Sequence, residues 1–197
     1  MLEGRWASPE DFATLFQYIW HRDFPMDQKS TGARRSDWTI HTGIVVRNIA
    51  DLMGFVIRFE SGKKKDAVMR NTEQDVIALE WEWEGVWGNE IEKLKKHKIR
   101  SFDKNSEGLL KYAVFITYTH TPNIKKVYSS VMDKWKGAKY PLLLILIDVE
   151  ESKKFFSHKE FINIQTSLFN KGKRIDLRGA PAFPWKVYGT RWSRELK

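Results

Sequence analysis

The chain has 197 residues, no cysteine and a formal net charge of +9, from 34 Lys and Arg against 25 Asp and Glu. This length suits one domain with a sizeable core, and a hydrophobic content of 42% excludes a disordered chain. The absence of cysteine excludes disulfides, thiolate zinc sites and thiol nucleophiles, and it fits a reducing compartment. The longest strongly apolar run, residues 140–147, is too short to span a bilayer. We therefore expect a cytoplasmic protein without a membrane partner.

Two helices are predicted first. Ser8 is followed by proline and two acids, which is typical of a capped helix start. A polar connection over 23–35 leads to a second predicted helix over 36–53, and Gly54 is well placed to end it. The inward face of this second helix is predicted to carry Trp38, Val45, Ile49 and Leu52.

The remaining chain alternates between predicted strands and helices. Strands are predicted over 55–59, 66–70, 76–84, 112–118, 142–149, 161–168 and 185–188, although 158–161 also allows a helix start. Helices are predicted over 89–97 and 123–136, turns over 61–65 and 170–173, and a loop over 179–184. This order predicts an α/β fold with a mixed central sheet, flanking helices and a β-rich C-terminal extension.

The charges are unevenly distributed. Between residues 71 and 92 there are seven acids and no Lys or Arg, so all 34 basic residues lie elsewhere. A basic body attracts polyanions such as nucleic acid. An acidic segment on such a protein is explained if a divalent cation lies between the protein and the polyanion. The alternative is an ordinary solvated acidic face.

The acidic segment contains Glu80-Trp81-Glu82-Trp83-Glu84. In a strand, the three glutamates share one face and lie roughly 7 Å apart along it. A strand with tryptophan inward and glutamate in water needs no function. However, Asp66 begins the preceding predicted strand, and antiparallel pairing would bring it beside Glu80.

The order of elements from residue 37 to about residue 118 resembles the core of the PD-(D/E)xK nuclease superfamily: helix, strand, strand beginning with Asp66, strand carrying the glutamates, helix, strand. The resemblance implies a restriction-endonuclease-like core in which Asp66, Glu80 and the backbone carbonyl of Trp81 hold Mg²⁺ or Mn²⁺. Glu82 stands where most members have a lysine, and some restriction endonucleases are similar in having a glutamate there. A second register, with Glu82 and Glu84 as the metal-binding pair, is also open.

The implied activity is a metal-dependent nuclease that hydrolyses phosphodiester bonds of DNA, of a restriction, repair, phage or mobile-element type. The metal would polarise the phosphate and activate a water, while Glu82 would accept a proton or hold a second metal. One of Lys63, Lys64 and Lys65 just before Asp66, or alternatively Lys93 on the next helix, would offset charge on the phosphate. A non-catalytic nucleic-acid-binding protein on the same scaffold and a protein-interaction module are the other hypotheses.

The sequence also predicts a single domain over 1–197, with an N-terminal helical extension (1–35), a nuclease-like core (36–120) and a C-terminal extension (121–197). Two active sites are often needed to cut a duplex, so a homodimer is a further expectation. In the C-terminal extension, cations alternate with aromatic residues, which would grip phosphate and stack on bases, or instead complete the core with the cations outward. The predicted nucleic-acid contacts are Arg34, Arg35, Lys63, Lys64, Lys93, Lys173, Arg174, Arg178, Lys186 and Arg191.

Overall fold

Seven strands form one sheet in this computed structural model, which describes residues 7–25, 35–61, 65–83, 87–98, 110–151 and 159–188. The helices in the described ranges are α1 (Pro9–Arg22), α2 (Arg35–Met53), α3 (Trp87–Lys95) and α4 (Ile124–Trp135). The strands are β1 (Val56–Ser61), β2 (Lys65–Arg70), β3 (Asp75–Glu82), β4 (Tyr112–His120), β5 (Leu142–Glu151), β6 (Lys159–Asn170) and β7 (Lys173–Pro181). Short 3₁₀ turns occupy Thr121–Asn123 and Pro184–Lys186.

The spatial order of the strands is the same as their order in the chain. Strands β1, β2 and β3 pair antiparallel, β3, β4 and β5 pair parallel, and β5, β6 and β7 pair antiparallel. Helix α3 lies in the connection between β3 and β4, and α4 lies in the connection between β4 and β5, as parallel neighbours require. The predicted α/β fold with a mixed sheet and flanking helices is thus confirmed, and the C-terminal strands belong to the same sheet.

The ends of the first two helices follow their local sequence. At the start of α1, Ser8 Oγ accepts the N–H of Asp11 at 3.1 Å, while the Asp11 carboxylate accepts the Ser8 N–H at 3.3 Å. At the end of α2, Gly54 adopts φ +74°, and the N–H of Phe55 reaches the carbonyl of Ala50 at 2.8 Å. Only glycine adopts this backbone conformation without strain from a Cβ, so the predicted end of the second helix is confirmed.

Helices cover both faces of the sheet. Helices α1 and α2 pack on one face, where Trp20, Trp38 and Phe161 form the centre of an aromatic cluster. Helices α3 and α4 pack on the other face against Phe115 and Leu144. Because each strand alternates between these two cores, a polar side chain on a central strand is buried unless it lies near a strand end.

Three local predictions are wrong. Leu52 is 56% exposed because the buried stripe of α2 runs through Val46 and Ala50 to Met53. The predicted strand over 185–188 begins instead in a 3₁₀ turn, since Pro184 has no N–H for a sheet ladder and Trp185 stacks on Phe183 at 4.5 Å. Strand β7 extends through residues 179–181, where the sequence predicts a loop.

Candidate functional site

Strand β3 directs its glutamates towards the face covered by α3 and α4. Leu79 and Trp81 pack with the α1/α2 core, whereas Ala78 belongs to the opposite core, so alternation assigns Glu80 and Glu82 to the α3 side. Glu80 is only 1% exposed, and Glu82 is half-buried. The interpretation that these glutamates lie in water is therefore wrong for Glu80.

Asp66 and Glu80 lie opposite each other on neighbouring strands. The antiparallel register pairs Ala67 with Leu79, so the next pair along the ladder is Asp66 and Glu80. The Oδ2 atom of Asp66 accepts the backbone N–H of Trp81 at 2.7 Å, which fixes this carboxylate beside β3. The antiparallel pairing predicted from the sequence is confirmed, and it brings two carboxyl groups together at one end of β3.

Helix α3 adds a lysine and a third carboxylate to the same place. The Lys93 Nζ lies 3.5 Å from Glu80 Oε2 and 3.9 Å from Glu90 Oε1. Lys93 and Glu90 are three positions apart, so they share one face of the helix. The side chain of Glu80 is 1% exposed and that of Lys93 is 40% exposed, so the ammonium lies at the boundary between the buried acid and solvent.

The proton affinities of the two acids reflect this environment. Burial and the charge of Asp66 raise the pKa of Glu80 to about 8, although Lys93 and Lys65 oppose this rise. Burial likewise raises the pKa of Asp66, against the hydrogen bond from Trp81. At neutral pH the ionised pair therefore needs more positive charge than these lysines supply, and a proton or a metal cation can supply it.

The other predicted site residues differ in their placement. An N–H and the C=O of one strand residue point towards the same neighbouring strand, so the Trp81 carbonyl points to the Asp66 side, as its N–H does. Glu82 follows Glu80 on the same face, and its carbonyl accepts the Thr117 hydroxyl at 3.0 Å. Lys65 is 4% exposed, and its charge acts on Glu80. Because Ala67 packs with the α1/α2 core, alternation along β2 assigns Lys65 to that face, opposite to Asp66, so the prediction that Lys65 faces the acids is wrong. Glu84, needed for the second register, lies outside the described residues.

The donor atoms fit a hard divalent cation. All are oxygens, which Mg²⁺ and Mn²⁺ prefer. Glu80 Oε1 and Glu90 Oε2 are buried, and no hydrogen-bond donor reaches either atom in the described part of the chain. Buried polar atoms are normally satisfied, so these two oxygens are candidates for a ligand. In the described ranges, however, no three side chains of His, Cys, Asp or Glu lie at the spacing of a preformed metal site.

The predicted nucleic-acid contacts are not all at this site. Arg34, Lys63, Lys64, Arg191 and the side chain of Arg35 lie outside the described residues, and Lys93 belongs to the acid cluster. The other four are on β7 or the turn that follows it, and the strand spacing separates β7 from β3 by roughly 20 Å. They are Lys173, Arg174, Arg178 and Lys186.

These four cations have different surroundings. Lys173 is exposed, and Arg178 donates to Thr14 Oγ1 at 2.7 Å. Arg174 pairs with Asp176 at 2.8 Å and lies over the Tyr128 ring at 3.9 Å. Lys186 Nζ lies 5.4 Å from the centre of the Phe183 ring. Exposure leaves Lys173 open to a phosphate, whereas Arg174 already has an anionic and an aromatic neighbour.

For the aromatic residues of the C-terminal extension, the sequence leaves two roles open, completing the core or stacking on bases, and the structure shows examples suited to each. Phe183 is 3% exposed, and Trp185 packs against the α1/α2 core, so both complete the core. Tyr188 is fully exposed and remains available for stacking.

Sequence reasoning missed two groups of residues near the ends of β3. Glu90 was not predicted as a site residue, although its spacing from Lys93 on α3 was a usable signal. Asp75, at the start of β3, forms a buried network with Arg70 at 2.8 Å and His97 at 3.2 Å. No sequence pattern indicates this network, because its three members come from two strands and the end of a helix.

Two further observations do not concern this site. None of the helices in the described ranges is both long enough and apolar enough to cross a membrane. No protein-family model and no curated protein sequence matches this chain.

Proposed function

We propose that this protein is a metal-dependent nuclease that hydrolyses phosphodiester bonds of DNA. The observation that carries the proposal is the pair of adjacent acids, Asp66 and Glu80, at one end of β3. Glu80 is 1% exposed and has a raised pKa, so the fold keeps an acid where its ionised form is costly without a cation. Such perturbed carboxyl groups are a common feature of functional sites.

The order of the elements supports the same proposal. Helix α2, strands β1 to β3, helix α3 and strand β4 follow each other in the order that the PD-(D/E)xK resemblance implies. Strands β1 to β4 are also neighbours in one mixed sheet. On this proposal the first four of the seven strands form a restriction-endonuclease-like core, and β5 to β7 extend it.

The chain's own residues would divide the work of such a site. Asp66, Glu80 and the Trp81 carbonyl would hold Mg²⁺ or Mn²⁺, with Glu82 next to them on the same face. The bound cation would supply Lewis-acid polarisation of the phosphate and a more acidic water. Glu82 would accept a proton from the attacking water, since it follows Glu80 on the same face of β3.

A lysine is still required to offset charge on the phosphate. Glu82 replaces the usual motif lysine, but Lys93 approaches Glu80 from α3 to within 3.5 Å. Lys65 is a second cation whose charge acts on Glu80. Lys93 is the better candidate, because its side chain is 40% exposed and can reach a substrate, whereas Lys65 is 4% exposed.

The charge of the chain suits a DNA substrate. A net charge of +9 favours binding to phosphates through counterion release. The cations of β7 lie roughly 20 Å from β3, a distance that a duplex covers in about six base pairs. Lys173 and Arg178 would therefore contact the backbone away from the scissile bond. We expect the affinity for DNA to fall steeply as salt rises.

The experiment is a cleavage assay on plasmid and oligonucleotide DNA with Mg²⁺ or Mn²⁺, with EDTA as the metal-free control. We expect Glu80→Gln and Asp66→Asn to reduce cleavage by at least about 100-fold, the loss typical of a missing site group. Glu92→Gln, on the exposed side of α3, is the matched control and should cleave like the wild type. Cleavage that persists in EDTA or in Glu80→Gln would refute the proposal.

A non-catalytic nucleic-acid-binding protein is the second candidate, and Glu82 in place of the lysine is the observation that favours it. This candidate predicts salt-sensitive DNA binding without cleavage and without uptake of Mn²⁺. The same protein samples, studied by gel shift and by calorimetry with Mn²⁺, distinguish the two candidates. Light scattering with and without DNA tests the expected homodimer.

A further inference from the structure

The Lys93 ammonium lies between two carboxylates. Its Nζ is 3.5 Å from Glu80 Oε2 and 3.9 Å from Glu90 Oε1. Asp66 lies opposite Glu80 on the neighbouring strand, so the three acids belong to one cluster. The ammonium of Lys93 thus contacts two of the three acids in this cluster.

Each of the two glutamates directs one oxygen to Lys93 and keeps another without a donor. Glu80 Oε1 and Glu90 Oε2 are both buried and receive no hydrogen bond from the described residues. The side chains are 1% and 13% exposed, respectively, so solvent reaches Glu80 hardly at all. Ionised carboxylate oxygens in this state are costly unless a proton or a cation neutralises them.

We propose that Glu90 is a third carboxylate ligand of the divalent cation, and that Lys93 holds the cation's place in the metal-free protein and leaves it when the metal binds. This inference rests on the proposed metal site of Asp66 and Glu80. It adds a ligand from α3 and makes Lys93 a competitor of the metal as well as a group for the phosphate.

The distances explain why the described residues contain no preformed metal site. An ammonium holds carboxylate oxygens at 3.5 and 3.9 Å here, whereas Mg²⁺ binds oxygen at about 2.1 Å. Entry of the metal therefore requires the carboxylates to draw closer together. With a side chain 40% exposed, Lys93 can move towards solvent or a substrate phosphate without crossing the core.

The exposed side of α3 supplies matched controls. Lys96 pairs with Glu92 at 3.0 Å, and their side chains are 78% and 39% exposed. The substitutions Lys96→Met and Glu92→Gln repeat the same charge changes on the same helix, away from the acids of β3. A change in Mn²⁺ affinity that occurs only in the Lys93 or Glu90 variants is therefore not a general effect of the charge on α3.

The first experiment measures Mn²⁺ affinity without DNA, by calorimetry. We expect Lys93→Met to tighten Mn²⁺ binding about 10-fold, because the competing ammonium is removed, even though this variant should lose cleavage. Glu90→Gln should weaken binding by about 10-fold or more, and Lys93→Arg should bind like the wild type. The two control variants should match the wild type. Unchanged or weaker binding by Lys93→Met, or unchanged binding by Glu90→Gln, would overturn the inference.

The second experiment uses the wild-type protein, so it does not depend on the folding of a variant. Acetylation of individual lysines with acetic anhydride is followed by mass spectrometry with and without Mg²⁺. Lys93 should react several-fold faster with Mg²⁺, while the rate at Lys96 stays constant. Equal acetylation rates at Lys93 with and without Mg²⁺ would show that the metal does not displace Lys93, and would overturn the inference. If the wild type takes up no Mn²⁺ at all, the proposed function fails rather than this step alone.

Discussion

The two ends of β3 each bury an acid, but the acids have different surroundings. Asp75, 3% exposed, pairs with Arg70 at 2.8 Å and with His97 at 3.2 Å. Glu80, 1% exposed, has Lys93 at 3.5 Å and one oxygen that no donor in the described residues reaches. The comparison separates a buried acid that the fold itself neutralises from a buried acid that still needs a proton or a metal cation.

The largest expected effect concerns the first acid. Asp75→Asn removes a carboxylate charge from the Arg70 guanidinium, whose side chain is 10% exposed. We expect the free energy of unfolding to fall by roughly 3–5 kcal/mol, as when one partner of a buried ion pair is lost. Urea denaturation measures it. A loss below about 1 kcal/mol would show that the Asp75 network contributes little.

The pH dependence of the metal-free protein tests the second acid. The pKa of Glu80 is about 8 in the folded protein, against an ordinary value of 4.5, so the folded state binds more protons between these values. The free energy of unfolding should therefore fall as pH rises from about 4.5 to 8, by roughly 2–4 kcal/mol, and Asp66 contributes with the same sign.

Denaturation in EDTA at several pH values measures this slope. Glu80→Gln, which cannot ionise, should show a flatter profile and should be more stable than the wild type at pH 8. Equal slopes in the two proteins would contradict the assignment of the slope to Glu80.

The next effect is the stabilisation of the protein by a bound metal, which should depend on Glu80 and not on Asp75. At a Mn²⁺ concentration of 100 times the Kd, a folded protein gains about 2.7 kcal/mol by mass action. We expect a higher melting temperature with Mn²⁺ in the wild type and in Asp75→Asn, and no shift in Glu80→Gln. Differential scanning calorimetry measures these shifts. If the melting temperature of Glu80→Gln also rises with Mn²⁺, Glu80 is not a ligand of the metal.

The smallest effect is expected for a solvated acid. Glu92 pairs with Lys96 on the exposed side of α3, and a hydrogen bond from Lys96 lowers the pKa of Glu92. Exposed pairs of this kind contribute about 0.2–1 kcal/mol. Glu92→Gln should therefore change the free energy of unfolding by less than about 1 kcal/mol and leave Mn²⁺ binding unchanged. A larger change would mean that the charge of α3 matters beyond Lys93 and Glu90.

Much of the fold could be predicted from local sequence signals. Ser8, Gly54 and the alternation around Glu80 act through contacts with near neighbours in the chain, and the structure agrees with each of them. Leu52 and Trp185 were misplaced because the outcome depended on which distant surface each element met. Helical spacing alone does not say which of two adjacent stripes is buried.

The candidate site could also be predicted only in part, because some of its contacts depend on how distant elements pack. The strand pattern predicted that Asp66 and Glu80 would lie together, because register follows from pairing of consecutive strands. The depth of Glu80 and the position of Glu90 depend on how α3 packs over β3. The Asp75 network depends on His97, which lies just beyond the end of α3. Such contacts need the tertiary structure.

The strands lie in the sheet in the same order as in the chain, which matters for synthesis on the ribosome. Each described strand pairs only with strands adjacent to it in sequence, so no hairpin must open to admit a later strand. The nascent polypeptide can add one strand at a time to a growing edge, and β7 completes the series. Asp66, Glu80, Glu90 and Lys93 all precede β5 to β7 in the chain, so every residue of the candidate site is synthesised before the last three strands.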